Sequence, residues 1–320
     1  MSALAMSAAA MKDLYTQPEV SALIALALAE DLRQTGDITA QTLVGADRKL
    51  SGILTAKSAG VVSGLPLFAR VAALLGGDLH CTDLAADGTR VAAGTPVLRL
   101  HGDARLMLAV ERTALNLCQR LSGTATQTAR YVDLIAGTRA HIFDTRKTAP
   151  GQRLLQKHAF AAGGGRNHRM GLHDQVLIKD NHLALMPGWD FGKPGNAPAE
   201  AVRRCRAALG PDTVIEVEIE TIDDLSAVMQ AGADIVLLDN LPPDRLRLAV
   251  ADRDRIMAGA APVGSAARGA LRARVDLEAS GGITLANVRA YAESGVERIS
   301  TGEPTHSAPA LDLSLRCAPA

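Results

Sequence analysis

The feature that most constrains this fold is a repeat of short apolar segments alternating with helix-like stretches, running from Ala140 to Thr301. The apolar segments are Ala140–Thr145, Gln175–Lys179, Thr213–Glu218, Asp234–Asp239, Val275–Ala279 and Arg298–Thr301. Connections such as Ile222–Ala231 and Leu285–Ser294 carry helical spacing and stop at or near glycine, as helices do. Repeated strand–helix units predict parallel strands with right-handed crossovers, in an open doubly wound sheet or a barrel. A polar or glycine-rich motif closes each segment: Thr145-Arg146-Lys147, Lys179-Asp180-Asn181, Glu218, Asp239-Asn240, Ser280-Gly281-Gly282 and Thr301-Gly302. In a β/α barrel all strand C-termini open on one face, so these motifs would converge on one site. A dinucleotide-binding reading would need a Gly-x-Gly-x-x-Gly turn after the first strand, which the sequence lacks.

The residues before this repeat read differently. A helix over Pro18–Leu32, a turn at Gly36–Thr39, strands at Leu50–Lys57, Gly60–Ser63 and Gly94–Leu100, and a helix at Leu65–Leu75 suggest an α/β sandwich. From Arg105, Leu106, Val110, Ala114, Leu117 and Leu121 recur at the spacing of a long amphipathic helix. The expected division is therefore a sandwich domain over 1–126 and a barrel over 127–302.

Charge points to the class of ligand. The chain is balanced, with 34 Lys and Arg against 34 Asp and Glu. The stretch Asp144–Leu183 is not: Arg146, Lys147, Arg153, Lys157, Arg166, Arg169 and Lys179 face only Asp144, Asp174 and Asp180, with four histidines besides. Cations gathered around a Gly-Gly-Gly loop in a neutral protein suggest a pocket for a small polyanion, not a nucleic-acid surface. Aromatics at 2% also argue against a base-stacking platform. The apolar run Ala22–Ala29 ends at Glu30-Asp31, far short of the ~20 residues of a membrane span. The opening MSALAMSAAAMKDL has no basic region of the kind a signal peptide carries. Four scattered cysteines without metal spacing suit a reducing compartment, so a cytoplasmic protein is expected.

Individual residues sharpen this. In Thr213–Thr221, alternation sends Val214, Glu216, Glu218 and Glu220 to one face and Ile215, Val217 and Ile219 to the other. If the aliphatic face packs under helices, Glu216 and Glu218 point into the barrel, where they need cations, a metal or a proton. The alternative is an edge strand with a solvated acidic face. Glu218 and Asp239 suit Mg²⁺ held together with a phosphorylated ligand. The small-residue turns at Ser280–Gly282 and Thr301–Gly302 suit phosphate, because backbone N–H groups can approach it there. Arg146-Lys147 and His168-Arg169 suit carboxylates. Lys179 could be a Schiff-base nucleophile or a cation facing an anion.

Together ERTALN (Glu111–Asn116), TRKTAPG (Thr145–Gly151), NHRMGL (Asn167–Leu172), LIKDNH (Leu177–His182), EVE (Glu216–Glu218), VLLDN (Val236–Asn240), EASGGI (Glu278–Ile283) and THSAPALD (Thr305–Asp312) resemble the decarboxylating quinolinate phosphoribosyltransferases of NAD biosynthesis. The resemblance runs from about Glu30 to Asp312. It implies an N-terminal α/β sandwich followed by an incomplete β/α barrel, with residues 303–320 returning to the first domain. It implies transfer of phosphoribose from phosphoribosyl pyrophosphate to quinolinate with Mg²⁺, giving nicotinate mononucleotide, pyrophosphate and CO₂. By the same resemblance Arg146, His168, Arg169 and Lys179 hold the quinolinate carboxylates, and Thr145 and Lys147 belong to the substrate site, Lys147 reaching the phosphoribosyl donor. Lys179, Glu218 and Asp239 are the catalytic group, Glu218 and Asp239 sitting by the ribose and the Mg²⁺-pyrophosphate. Ser280, Gly281, Gly282, Thr301 and Gly302 take the 5′-phosphate. Arg112 is donated by a neighbouring subunit, so a homodimer or higher homo-oligomer is implied. Glu303 departs from the family's small neutral residue beside the phosphate turn, and 186–198 and 264–274 read as insertions. The alternatives are a molybdenum-transport-associated paralogue of the same fold, a Schiff-base aldolase on Lys179, a non-catalytic ligand-binding homologue, and an enzyme that takes free nicotinate.

Overall fold

A computed structural model describes residues 14–187, 195–260 and 270–320. Its strands are β1 (Lys49–Ala56), β2 (Gly60–Val61), β3 (Leu79–Asp83), β4 (Arg90–Val91), β5 (Pro96–Asp103), β6 (His141–Phe143), β7 (Val176–Ile178), β8 (Ile215–Ile219), β9 (Ile235–Asp239), β10 (Asp276–Ser280), β11 (Arg298–Ser300) and β12 (Leu313–Pro319). The chain forms two compact units. One comprises residues up to Arg130, Lys147–Asn167 and Gly302–Ala320, the other Tyr131–Arg146 and His168–Thr301.

The first unit is built on an antiparallel sheet in the order β12-β1-β5-β3. Alternation along β1 buries Leu54 and Ala56, and Leu54 pairs with Leu98 of β5 on one side and Leu315 of β12 on the other. The helix over Pro18–Leu32 presents Val20, Ile24 and Leu28, one residue per turn, to the core that these strands share. The turn at Gly36–Thr39 proves to be a helix start: Gly36 adopts φ +71°, and the Asp37 carboxylate caps Ile38–Leu43 by accepting from the Ala40 N–H at 2.9 Å. The helix predicted from Arg105 runs over Ala104–Leu134, 31 residues, with Met107, Val110, Ala114, Cys118 and Leu121 in the core.

β3 and β12 escape the sequence reading. LHCTD and LSLRCAP carry little apolar weight, and their order comes from pairing with β5 and β1. The segment Lys147–Asn167, assigned to the barrel by the sequence, groups with this unit instead. Its helix Arg153–Ala162 places Leu155 and Ala159 in the first unit's core, and burial of that face decides where the segment belongs. Glu303 does not stand bare beside a phosphate turn: its carboxylate accepts from Gln127 Nε2 at 3.0 Å, and Gln127 in turn accepts from Arg130.

Gly123 shows how closely the returning segment packs. A Cβ there would lie 2.1 Å from the Pro309 carbonyl oxygen and 3.0 Å from Ala310 Cα, both main chain. Because neither atom can turn aside, Gly123→Ala is expected to destabilise by about 1–3 kcal/mol. Urea unfolding followed by circular dichroism would measure this, and an unchanged midpoint would show that the segment lies more loosely.

The second unit is a parallel sheet in the order β6-β11-β10-β9-β8-β7. The strands β7 to β11 follow the chain, and β6 then pairs with β11, as in a barrel. Among the described residues β6 and β7 do not pair, so the barrel is incomplete between them. All the predicted strands of the repeat are present, though β6 and β7 are shorter than expected, since their polar ends leave the ladder. β8 lies between β7 and β9 and is buried throughout, which removes the reading of it as a solvated edge. The two expected insertions fall partly on 188–194 and 261–269, outside the described residues.

Candidate active site

The strand ends of the second unit bring together most of the polar groups singled out in the sequence. Asp144 follows β6 and is fully buried; its Oδ1 accepts the backbone N–H of His168 at 2.7 Å. Thr145 and Arg146 continue from the same strand end. Asp174 pins the other side of the loop through the N–H groups of Met170 and Gly171, at 2.6 and 2.9 Å. His168 and Arg169 thus sit on a loop whose backbone is fixed by two carboxylates.

The His168 ring is held at both nitrogens. Nδ1 accepts the Arg169 backbone N–H at 2.7 Å, and Nε2 lies 2.9 Å from Glu216 Oε2 and 3.6 Å from Glu278 Oε1. Burial alone would lower its proton affinity, but Glu216 and Glu278 carry it above the ordinary imidazole value. The Arg169 N–H places the ring's proton on Nε2 and works against a second on Nδ1. Glu278, with no exposed surface, receives Arg298 Nε at 2.5 Å, and the Arg298 guanidinium lies 3.6 Å from the centroid of the Phe143 ring. Against its burial, Arg298 and His168 hold Glu278 below the usual carboxylate range.

Arg169 donates from Nη1 to the Gln175 carbonyl at 3.2 Å. Burial and the like charge of Arg146 both lower its hold on its proton. Two guanidiniums close enough to repel suit a ligand with more than one negative charge.

Lys179, directly after β7, places Nζ 2.5 Å from Glu218 Oε2 on β8. Burial pushes the Glu218 carboxyl above its ordinary range, Asp239 and Asp180 add like-charge repulsion, and the Lys179 ammonium pulls the other way. Asp239 ends β9, opposite Ser280 of β10. Lys179 Nζ is thus engaged by a carboxylate oxygen, which fits the reading of Lys179 as a cation facing an anion.

The Ser280–Gly282 turn is built for close backbone approach. Gly281 and Gly282 adopt φ +94° and +59°. A Cβ on Gly281 would meet Asn240 Oδ1 at 2.1 Å, while the Asn240 N–H donates to the Ser280 carbonyl at 2.9 Å. Thr301 is anchored next to β6 by its N–H to the Phe143 carbonyl at 3.0 Å. Three expected site residues belong to the first unit. Arg112 is exposed on the long helix beside buried Thr113 and Ala114. Lys147 is exposed, and its carbonyl accepts the Thr305 hydroxyl at 2.8 Å. Gly302 is buried, and a Cβ there would crowd the His306 ring at 2.9 Å and the Lys147 side chain at 3.0 Å.

Sequence reasoning gave no role to Asp144, Gln175, Glu278 or Arg298. The available signal was a charged residue within otherwise apolar strand segments, as in LEAS and RIS.

Residues 37–122 match the family model described as quinolinate phosphoribosyl transferase, N-terminal domain, and residues 124–316 match its C-terminal domain. The nicotinate-nucleotide pyrophosphorylase (carboxylating) of Mycobacterium leprae (strain TN) is 39% identical over 296 residues, covering 90% of this chain and 94% of that protein. The mitochondrial quinolinate phosphoribosyltransferase (decarboxylating) 2 of Nicotiana glauca is 34% identical, covering 99% of this chain and 89% of that protein. A solved nicotinate-nucleotide pyrophosphorylase from Francisella tularensis superposes with a TM-score of 0.81 at 35% identity, covering 95% of this chain and 99% of that one. With family models spanning both halves and a fold shared with solved relatives, the chain belongs to the quinolinate phosphoribosyltransferase family.

Proposed function

We infer that this protein transfers phosphoribose from phosphoribosyl pyrophosphate to quinolinate and releases CO₂, forming nicotinate mononucleotide and pyrophosphate. The observation that carries the reading is that Arg146 after β6, Lys179 after β7 and the Ser280–Gly282 turn at the end of β10 all stand at C-terminal ends of strands in one parallel sheet, within a family named for this reaction. The two carboxylates of quinolinate meet Arg146, His168, Arg169 and Lys179, with Arg112 supplied by a second copy of the chain in a homodimer or larger homo-oligomer. Thr145 and Lys147 serve the substrate site, Lys147 the donor, and Ser280, Gly281, Gly282, Thr301 and Gly302 receive its 5′-phosphate.

In the reaction the bond from C1′ to pyrophosphate breaks with its electron pair leaving on oxygen, and the pyridine nitrogen lone pair forms the new bond to C1′. The positive charge that develops on the ribose is opposed by the Glu218 carboxylate. The alkylated ring nitrogen is then cationic and accepts the electron pair left at C2 when CO₂ departs; a proton completes the product. Catalysis therefore falls to charges that are already in place.

Mg²⁺ fits the residues present. Glu218 and Asp239 lie at neighbouring strand ends and repel each other, and Mg²⁺ is commonly held by one or two carboxylates with phosphate oxygens and water. When bound it would neutralise the departing pyrophosphate.

No described helix is long and apolar enough to cross a membrane. The four cysteines are free thiols, which supports a cytoplasmic setting. The anion site supports small-molecule substrates and neither a nucleic acid nor a membrane as partner. The relatives' names lend nothing to the molybdenum-associated paralogue. Purified protein with quinolinate, phosphoribosyl pyrophosphate and Mg²⁺ should yield CO₂ and nicotinate mononucleotide in equal amounts. Absence of both while quinolinate still binds would overturn the reading.

A further inference from the structure

Beneath the proposed quinolinate contacts lies a buried carboxylate that the reaction does not use. Glu216, on β8, has no exposed surface. A buried anion under a site for a dianion repels the very ligand it underlies, so its presence calls for a separate reason.

Its hydrogen bonds supply one. Glu216 Oε2 accepts from His168 Nε2 at 2.9 Å and from Gln175 Nε2 at 2.7 Å. The Gln175 carbonyl in turn receives Arg169 Nη1 at 3.2 Å. Glu216 Oε1 meets no hydrogen-bond donor among the described residues, so the cost of burying this carboxylate is offset through Oε2. One oxygen thereby links His168 and Arg169 of the loop 168–175, which has no helix or strand of its own. Around His168 the other charged groups are Glu278 on β10, held by Arg298 on β11, and Asp144 after β6, which takes only the backbone N–H.

We propose that Glu216 is a positioning residue for quinolinate, fixing the His168 ring directly and the Arg169 guanidinium through Gln175. This rests on the quinolinate site proposed above. Its function is geometric: the two donors are set before the dianion arrives, so binding need not order them.

The test is steady-state kinetics of Glu216→Gln with each substrate varied in turn. The expected result is a rise in KM for quinolinate of roughly tenfold or more, with kcat and the KM for phosphoribosyl pyrophosphate within about twofold. A role limited to charge predicts the reverse, a lower quinolinate KM, because an anion has been removed from beneath a dianion. Glu216→Gln in a His168→Ala background should lose less than the product of the single losses. An unchanged or lowered KM, or multiplicative losses, would overturn the proposal. Should Glu216→Gln not fold, Gln175→Met carries the test. It removes the amide donor but keeps the backbone carbonyl, and the same selective rise is expected, an unchanged KM again counting against the proposal. If the wild-type protein does not consume quinolinate, the failure lies with the proposed reaction and not with Glu216.

Discussion

Lys179→Ala is expected to lower turnover of quinolinate a hundredfold or more, roughly the ~3–4 kcal/mol that one preorganised charge contact contributes to a transition state. Two effects combine. The substitution removes a cation from the site of a dianion. It also strips Glu218 of the ammonium at 2.5 Å that opposes the upward push of burial on its carboxyl. Glu218 would then be protonated more readily, and in that form it cannot oppose the developing positive charge on the ribose. The loss should therefore appear in kcat as well as in KM, and single-turnover measurements would separate the two. Lys179→Arg keeps the charge but not its point-like geometry and should recover only part of the rate. Near wild-type turnover in Lys179→Ala would remove Lys179 from the catalytic group. Borohydride trapping of a carbonyl substrate on the wild-type protein would instead revive the aldolase alternative.

Arg298→Met should destabilise the fold by about 3–5 kcal/mol at neutral pH, the usual consequence of leaving one member of a buried ion pair alone. Glu278 has no exposed surface, and its Oε2 is held by Arg298. In the wild type the folded-state pKa of Glu278 is depressed, so its stabilising contribution is full above the ordinary glutamate range and is lost as pH falls from there through the depressed folded-state value. In the variant, burial is opposed only by His168 and the Ser300 hydroxyl, and the pKa should rise. The penalty is then full above the raised pKa and is relieved by protonation as pH falls from it to the ordinary range. The stability gap should narrow between pH 7 and about pH 4. Urea unfolding at both values tests the sign, and a gap independent of pH would mean that Arg298 contributes by packing on Phe143. Glu278→Met added to Arg298→Met should restore much of the stability, since an apolar pair of similar volume carries no buried charge.

The second unit was legible because its physics is local. VLLDN and EASGG announce a buried strand and its functional end within a few residues, and β9 and β10 stand where those motifs do. The first unit was less so. β3 and β12 are strands because β5 and β1 offer ladders to them, and β12 comes from a segment more than 250 residues away in sequence from β1. The residues proposed to act in catalysis also announced themselves by lying at strand ends. Their supports did not: Gln175 and Arg298 gain their meaning from partners on other strands, and spacing along the chain cannot report a meeting across a barrel.

The contact between Asn240 and Gly281 bears on how such a site can change over evolution or by design. Asn240 adopts φ +54°, and its amide oxygen occupies the space a Cβ on Gly281 would need. Neither position can be varied freely while the other is held. Altering the anion proposed for this turn would have to respect both positions together. Lineages that retain a phosphorylated substrate would keep the pair together, and libraries that randomise either position alone should return mostly the parent sequence.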